Sequence, residues 1–231
     1  MEGFTYVDIF ATKGIEYILV IFFLMLFLLF ASLTFRSKGG TKAVGRELRS
    51  GLSLWFRVPE FLYYHQGHTW VLPEGEKIAK VGVDDFAQRL VGKVDGLELP
   101  KRGSEILQGE KALRLKVEGK EIEMLAPLDG EVVDINEEVL RNPSRMLEDP
   151  YGDGWLLRVY SPNLRANLRN LITGHLARRW IEMVRDNLLS RMDYRLGLVL
   201  QDGGIPVEGM ARGLDRERWD ELVREFFLTK E

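Results

Sequence analysis

The first hydrophobic feature of the chain is an uncharged apolar run over residues 17–35. At about 1.5 Å of rise per residue, a helix of about 20 such residues spans the hydrocarbon core of a bilayer. Basic residues are concentrated after the run, where they are Arg36, Lys38, Lys42, Arg46 and Arg49. Under the positive-inside rule, this asymmetry predicts a single-pass helix in the inner (cytoplasmic) membrane, with the N-terminus outside and the bulk of the chain in the cytoplasm.

A cleaved signal peptide is the alternative for the same run. The run is longer than the apolar region of about 7–15 residues that such peptides carry, and no small-residue cleavage site follows it. We therefore expect an N-terminal segment at 1–16, a transmembrane helix at 17–35 and a basic juxtamembrane linker at 36–57. Residues 44–55 within the linker form either an interfacial amphipathic helix or a charged tether.

Short apolar runs separated by turn residues fill residues 58–162, and this pattern predicts a compact, mostly antiparallel β domain. Two alternating segments flank Glu118-Gly119, a two-residue hairpin signal. A short helix is expected at 84–91, with Asp84 as its N-cap.

Helical periodicity returns in the C-terminal extension, residues 163–231. Apolar residues at steps of three and four over 164–192 predict one amphipathic helix of about eight turns. An extended or hairpin segment is expected at 197–213, and a last helix near Asp215. The aromatic residues of these helices either fold back onto the rest of the chain or dock onto another subunit, and the candidates for docking are Trp180, Trp219, Phe226 and Phe227.

The composition excludes several classes of binding and catalytic site. The chain has 32 basic and 35 acidic side chains, so no net positive charge favours nucleic acid. The absence of cysteine excludes disulfides, cysteine-ligated metals and a thiol nucleophile. His65 and His68 are the best histidine pair, but no carboxylate or cysteine pattern completes a site, so we expect no metal and no catalytic residues.

Ordered motifs within residues 63–162 carry a specific resemblance. They are His68-Thr69-Trp70-Val71, Val81-Gly82-Val83-Asp84-Asp85-Phe86-Ala87-Gln88, Leu97-Glu98-Leu99-Pro100 with Gly103, Ala126-Pro127 with Gly130-Glu131-Val132, and Glu148-Asp149-Pro150-Tyr151-Gly152-Asp153-Gly154-Trp155-Leu156. The region resembles the H protein of the glycine cleavage system. That resemblance implies a mainly β, H-protein-like fold, a barrel-sandwich hybrid of the lipoyl-domain type. In the family, a lysine at a hairpin tip carries lipoate, which shuttles an aminomethyl group and reducing equivalents between enzymes.

The chain departs from the family at this functional point. The spacing from Gly109-Glu110 to Ala126-Pro127 equals that of the family, so the resemblance places Gly119 at the position of the lipoyl lysine and Lys116 at that of the family's glutamate. Lys120 comes one residue late. Since side chains alternate between the two faces of a strand, a shift of one residue reverses the side-chain direction.

These observations predict a protein that is not an enzyme. The leading hypothesis is a structural or docking subunit of a membrane-bound redox or electron-transfer complex, without a cofactor, whose partners are the other subunits and the lipid bilayer but not nucleic acid. The alternative is a membrane-tethered lipoyl carrier of a glycine-cleavage-like system, lipoylated on Lys120. A third hypothesis is an adaptor or sensor that acts as a monomer.

Overall fold

The computed structural model describes residues 17–28, 55–192, 200–201 and 205–230. The chain divides into two units, Met1–Leu52 and Ser53–Glu231. Within the first unit, the described residues 17–28 form one helix, α1. The second unit contains both the predicted β domain and the predicted C-terminal extension.

The predicted membrane localisation is wrong. Across the described residues, no helix combines the length and the apolar content that crossing a bilayer requires. The helix described in the predicted span is α1, residues 17–28. Residues 29–35, the N-terminal segment 1–16 and most of the linker, including 44–54 of the candidate interfacial helix, lie outside the described residues.

The second unit is built on short antiparallel strands. These strands are β1 (Tyr63–Tyr64), β2 (Thr69–Pro73), β3 (Ile78–Val83), β4 (Gly96–Glu98), β5 (Glu105–Ile106), β6 (Lys111–Val117), β7 (Lys120–Leu125), β8 (Gly130–Ile135), β9 (Leu157–Tyr160), β10 (Ile172–Thr173), β11 (Leu200–Gln201) and β12 (Ile205–Pro206). One sheet has the order β10-β1-β2-β3-β9-β8-β5, a second has the order β4-β6-β7, and β11 pairs with β12. The prediction of a mostly antiparallel β domain is confirmed.

Helices connect and follow these strands. After α1 they are α2 (Asp85–Val91), α3 (Glu137–Arg141), α4 (Arg145–Glu148), α5 (Leu164–Leu168), α6 (Gly174–Arg191), α7 (Met210–Leu214) and α8 (Trp219–Phe226). The predicted cap of α2 is confirmed, because the Asp84 carboxylate accepts a hydrogen bond from the backbone N–H of Ala87.

The single long helix predicted over 164–192 is wrong, because a strand interrupts it between α5 and α6. Ile172 and Thr173 are β-branched residues that pair with β1. The Thr173 hydroxyl also donates to the carbonyl of Leu62 at 2.8 Å. Gly174, with φ of 59°, then lets the chain turn into α6.

The rest of the extension follows the prediction in part. The predicted hairpin segment is represented by β11 and β12, but α7 begins inside it at Met210. The final helix, α8, begins at Trp219, close to the predicted start near Asp215. Residues 193–199 and 202–204 lie outside the described residues.

The core around Trp70 joins the β domain to α6. The Trp70 indole N–H donates to the carbonyls of Val83 and Pro150, both at 3.1 Å. Gly82 lies against the ring so closely that an added Cβ would sit 2.4 Å from it. Ala177 of α6 belongs to the same buried cluster as Trp70, so α6 is part of the β domain's core.

Candidate functional site

The β6–β7 hairpin ends in a two-residue turn at the position where the resemblance places the modified lysine. Val117 pairs with Lys120 across the turn, and Glu118 and Gly119 have φ of 49° and 75°. Two consecutive positive φ angles are those of a type I′ turn, which suits a two-residue hairpin. The hairpin predicted at Glu118-Gly119 is therefore confirmed. A Cβ added at Gly119 would meet no described atom within 4 Å.

The side chain of Lys120 is held by the C-terminal part of the chain. Its ammonium group forms an ion pair with the Asp220 carboxylate and donates to the backbone carbonyl of Glu217 at 3.2 Å. The same group lies 5.4 Å from the centroid of the Trp219 ring, within the range of a cation–π contact. The amine that the carrier hypothesis would lipoylate is thus engaged by a carboxylate, a carbonyl and an aromatic ring.

Arg212 ties the turn to the end of α2. It belongs to residues 209–230, called the tail below. One guanidinium nitrogen forms a 2.6 Å ion pair with the Glu118 carboxylate, and another donates to the Val91 carbonyl at 2.9 Å. The guanidinium also lies 5.8 Å from the centroid of the Trp219 ring, so this ring contacts cations from both the tail and the hairpin.

Two further contacts anchor the tail beside the turn. The backbone N–H of Gly209 donates to the Arg89 carbonyl in the last turn of α2 at 2.8 Å. Arg224 donates from its guanidinium to the Glu121 carbonyl on β7 at 3.2 Å. The approach to α2 is close, since a Cβ added at Gly92 would sit 2.6 Å from the backbone nitrogen of Gly209. The tail therefore contacts the turn, the strand that follows it and the end of α2.

Three of the four predicted docking residues are buried inside this unit. Trp219, Phe226 and Phe227 are each less than a tenth exposed. The rings of Phe226 and Phe86 lie 5.4 Å apart, and those of Phe227 and His68 lie 6.0 Å apart. A docking role for these residues stays a prediction, and their burial favours the alternative in which the last helix folds back onto the β domain.

Trp180, the fourth docking candidate, is half-buried and contacts His68, which is hydrogen-bonded to Asp84. Nδ1 of His68 lies 2.8 Å from the Asp84 carboxylate, and both residues are buried. The His68 ring stacks between Phe86 at 4.4 Å and Trp180 at 4.8 Å. His68 thus links β2 to α2 and α6 and has a structural role in the core.

The other histidine of the candidate metal pair is also used internally. Nδ1 of His65 accepts a hydrogen bond from the backbone N–H of Gly67 at 3.0 Å. Burial and the nearby His68 lower the pKa of His65 below its ordinary value. Within the part of the chain that the structure describes, no group of three or more histidine, aspartate or glutamate side chains could hold a metal ion.

Two tyrosines next to this core remain protonated. Burial and the negative charge of Asp84 raise the pKa of both Tyr64 and Tyr151 above the ordinary value. Tyr64 donates its hydroxyl proton to the Pro59 carbonyl at 3.0 Å, and Tyr151 donates to the Arg57 carbonyl. Both hydroxyls therefore fix the chain segment that enters the β domain.

Lys116, which the resemblance aligns with the family's glutamate, makes its contacts within the small sheet. It forms an ion pair with Glu98 across the β4–β6 ladder. The hydrogen bond to the Glu98 carboxylate, together with its charge, raises the pKa of the Lys116 ammonium. Lys116 therefore belongs to the charged outer face of the small sheet.

The ion pair between Lys120 and Asp220 predicts a pH dependence. Burial raises the pKa of Asp220, but the hydrogen bond and the charge of Lys120 outweigh burial and hold the pKa below its ordinary value. A lowered pKa in the folded state stabilises the fold above the unfolded-state value of about 3.9, and this contribution is lost as the pH falls through the folded-state pKa. We expect Lys120→Met to raise the Asp220 pKa, measured by NMR titration of the carboxyl carbon.

Lys77→Met is the matched control for that titration, since Lys77 contacts the remote Tyr160 ring. It should leave the Asp220 titration unchanged. An Asp220 pKa that is the same in the native protein and in Lys120→Met would contradict the ion pair.

Sequence reasoning missed the tail residues that hold the turn, namely Arg212, Glu217, Asp220 and Arg224. Isolated charges between apolar residues of a helix are typical of a solvated face. Lys120 and Asp220 lie 100 residues apart in the sequence, so no local pattern could pair them.

A family profile and individual relatives of known family all point to the same protein family. The profile of the family described as "Glycine cleavage H-protein" matches residues 62–183. The "Probable glycine cleavage system H protein" of Pyrococcus abyssi is 36% identical over 119 residues, which are 51% of this chain and 87% of that protein. The glycine cleavage system H protein of a Geobacillus species is 36% identical over 129 residues, which are 56% of this chain and 98% of that protein.

Among solved structures, a glycine cleavage system H protein from Mycobacterium marinum aligns with 25% identity and a TM-score of 0.42. The alignment covers 46% of this chain and 87% of that one. The hairpin turn lies inside the residues that the family profile matches, whereas the tail lies beyond them.

Proposed function

The chain belongs to the glycine cleavage H-protein family, and on that premise we propose that it is a non-catalytic docking subunit that has lost the family's lipoyl arm. The observation that carries the proposal is the hairpin turn, where the resemblance aligns Gly119 with the lipoyl lysine and the tail binds the adjacent Lys120. Family membership supplies the lipoyl-carrier fold, and in this proposal the turn is where the chain differs from a carrier.

Gly119 cannot carry an acyl arm, because it has no side chain. Lys120, one residue later, is the first residue of β7. Its side chain leaves the strand on the face opposite to that of its neighbour. The family's way of presenting a lysine at the apex of the turn is therefore lost.

Acylation of Lys120 would also cost interactions that the fold uses. An amide bond to lipoate would remove the positive charge and thereby the ion pair with Asp220, whose side chain is only 18% exposed. Arg224 lies 3.8 Å from the other Asp220 oxygen, at the limit of an ion pair. A partly buried carboxylate would thus lose its nearer cation, which is unfavourable.

A docking role fits what the chain retains. The family's β domain is present, and through it a partner that recognises the shape of an H protein could still bind. The partner we propose is a redox complex, by analogy with the electron transfer that the lipoyl arm performs in the family.

The decisive experiment is the intact mass of the protein, co-produced with a lipoylating enzyme and supplied with lipoate. We expect the unmodified mass, both for the native sequence and for Lys120→Arg. Lys116→Arg serves as the matched control, since Lys116 lies on the same hairpin but is bound to Glu98.

The carrier alternative, lipoate on Lys120, has its own signature in that experiment. A mass increment of one lipoyl group that disappears in Lys120→Arg and persists in Lys116→Arg would establish it and refute the armless proposal. Since 37% of the Lys120 side chain is exposed, a lipoylating enzyme could reach it, and both outcomes of the experiment are physically accessible.

A further inference from the structure

Strand β5 is an open edge of the large sheet. It pairs with β8 on one side, and it ends the strand order of that sheet. No strand that the structure describes covers its other side. Such an edge presents unpaired backbone groups and can accept one more strand from another chain.

The same edge carries a pair of like charges. Glu105 on β5 lies directly opposite Glu131 on β8, and both side chains are exposed. Within the described chain, neither carboxylate has an ion-pair partner within 4 Å, whereas Glu98 on the neighbouring sheet is paired with Arg114 at 2.8 Å. Like charges directly opposite each other destabilise a sheet, so a cation placed between Glu105 and Glu131 would be stabilised.

Apolar surface adjoins this charge pair. Leu107, which follows β5, is 52% exposed. It lines two clefts, one of about 450 Å³ lined also by Leu99 and one of about 280 Å³ lined also by Tyr160. An apolar side chain of a partner can therefore be accommodated beside Leu107.

We propose that the β5 edge is a docking strip for an extended segment of a partner protein that carries a basic residue and an apolar residue two positions apart. Residues two apart in a strand point to the same face, so the basic side chain would lie beside Glu105 and Glu131 and the apolar one against Leu107. This inference rests on the proposed docking function and names the chemistry of the partner.

Other occupants of the edge fit less well. A second copy of the chain, paired isologously through β5, would bring two sets of the same glutamates together without a cation. Nucleic acid would meet negative charge with negative charge. A basic extended peptide supplies both the missing strand and the missing cation.

The test uses the full chain and the synthetic peptide Ser-Lys-Ser-Val-Ser, blocked at both ends, together with the same peptide carrying Glu in place of Lys. Binding is followed by backbone amide NMR. We expect saturable shifts centred on residues 105–107, roughly tenfold weaker binding of the Glu peptide, and a similar loss for the protein with Glu105→Gln and Glu131→Gln. Higher salt should weaken the Lys peptide only.

Glu76→Gln is the matched control, because Glu76 is an exposed carboxylate away from β5. It should leave the affinity unchanged. Removing the like-charge pair relieves repulsion, so the glutamine variant stays folded, as its own NMR spectrum will show. Equal affinity for both peptides, shifts away from β5, or no binding at millimolar peptide would overturn the docking strip. A lipoyl mass increment would instead refute the armless proposal, so the two failures are distinguishable.

Discussion

Replacing Phe227 by alanine is expected to lower the free energy of unfolding by about 3–5 kcal/mol. The Phe227 ring is fully buried and lies 6.0 Å from the His68 ring. Its removal leaves a cavity between the tail and the β domain that neighbouring rings cannot fill without moving. Urea denaturation followed by circular dichroism measures the effect.

Leu176→Ala is the control for that measurement. Leu176 is 58% exposed on α6, and surface substitutions of this kind usually change stability by less than about 0.5 kcal/mol. An equally small effect of Phe227→Ala would mean that the ring is accessible in solution, and the docking role predicted from the sequence would then regain its basis.

The second large effect is expected for Asp84→Ala, at about 2–4 kcal/mol of unfolding free energy. Two hydrogen bonds of the side chain are lost in this variant. The carboxylate is bonded to Nδ1 of His68 and accepts the backbone N–H of Ala87. The backbone bond from the Asp84 N–H to the His68 carbonyl, at 3.0 Å, is retained. His68 has φ of 65°, an uncommon value for a residue other than glycine, so its position depends on being held.

Asp84→Asn separates the two side-chain contributions. Asparagine caps a helix about as well as aspartate, so this variant should retain the cap and lose only the charge that faces His68. We expect its loss of stability to fall between those of the native protein and Asp84→Ala. If Asp84→Asn were as unstable as Asp84→Ala, the cap would contribute nothing.

Local signals predicted the elements whose contacts are local. The helix after Asp84 begins at a residue that caps it, and the hairpin at Glu118-Gly119 closes over two residues. In both, the residues that determine the structure lie within a few positions of each other. The family's ordered motifs then located the β domain as a whole.

The sequence did not predict structure that depends on contacts between residues far apart in the chain. Ile172 and Thr173 satisfied the helical period, but pairing with β1 draws them into a sheet. The uncharged apolar run over 17–35 predicted a membrane span, and no helix of the described residues is long and apolar enough for one. The contact between Lys120 and Asp220 joins residues 100 positions apart, and the pattern of neighbouring residues does not show how the tail folds onto the hairpin.

The burial of Phe227 means that the family match and the packed core end at different residues. The match ends at residue 183, but the core includes Phe226 and Phe227, some forty positions later. A chain cut at residue 183 would therefore expose His68 and Phe86, whose rings lie against these two phenylalanines. The boundary of the folding unit is thus set by the tail and not by the segment that resembles the family.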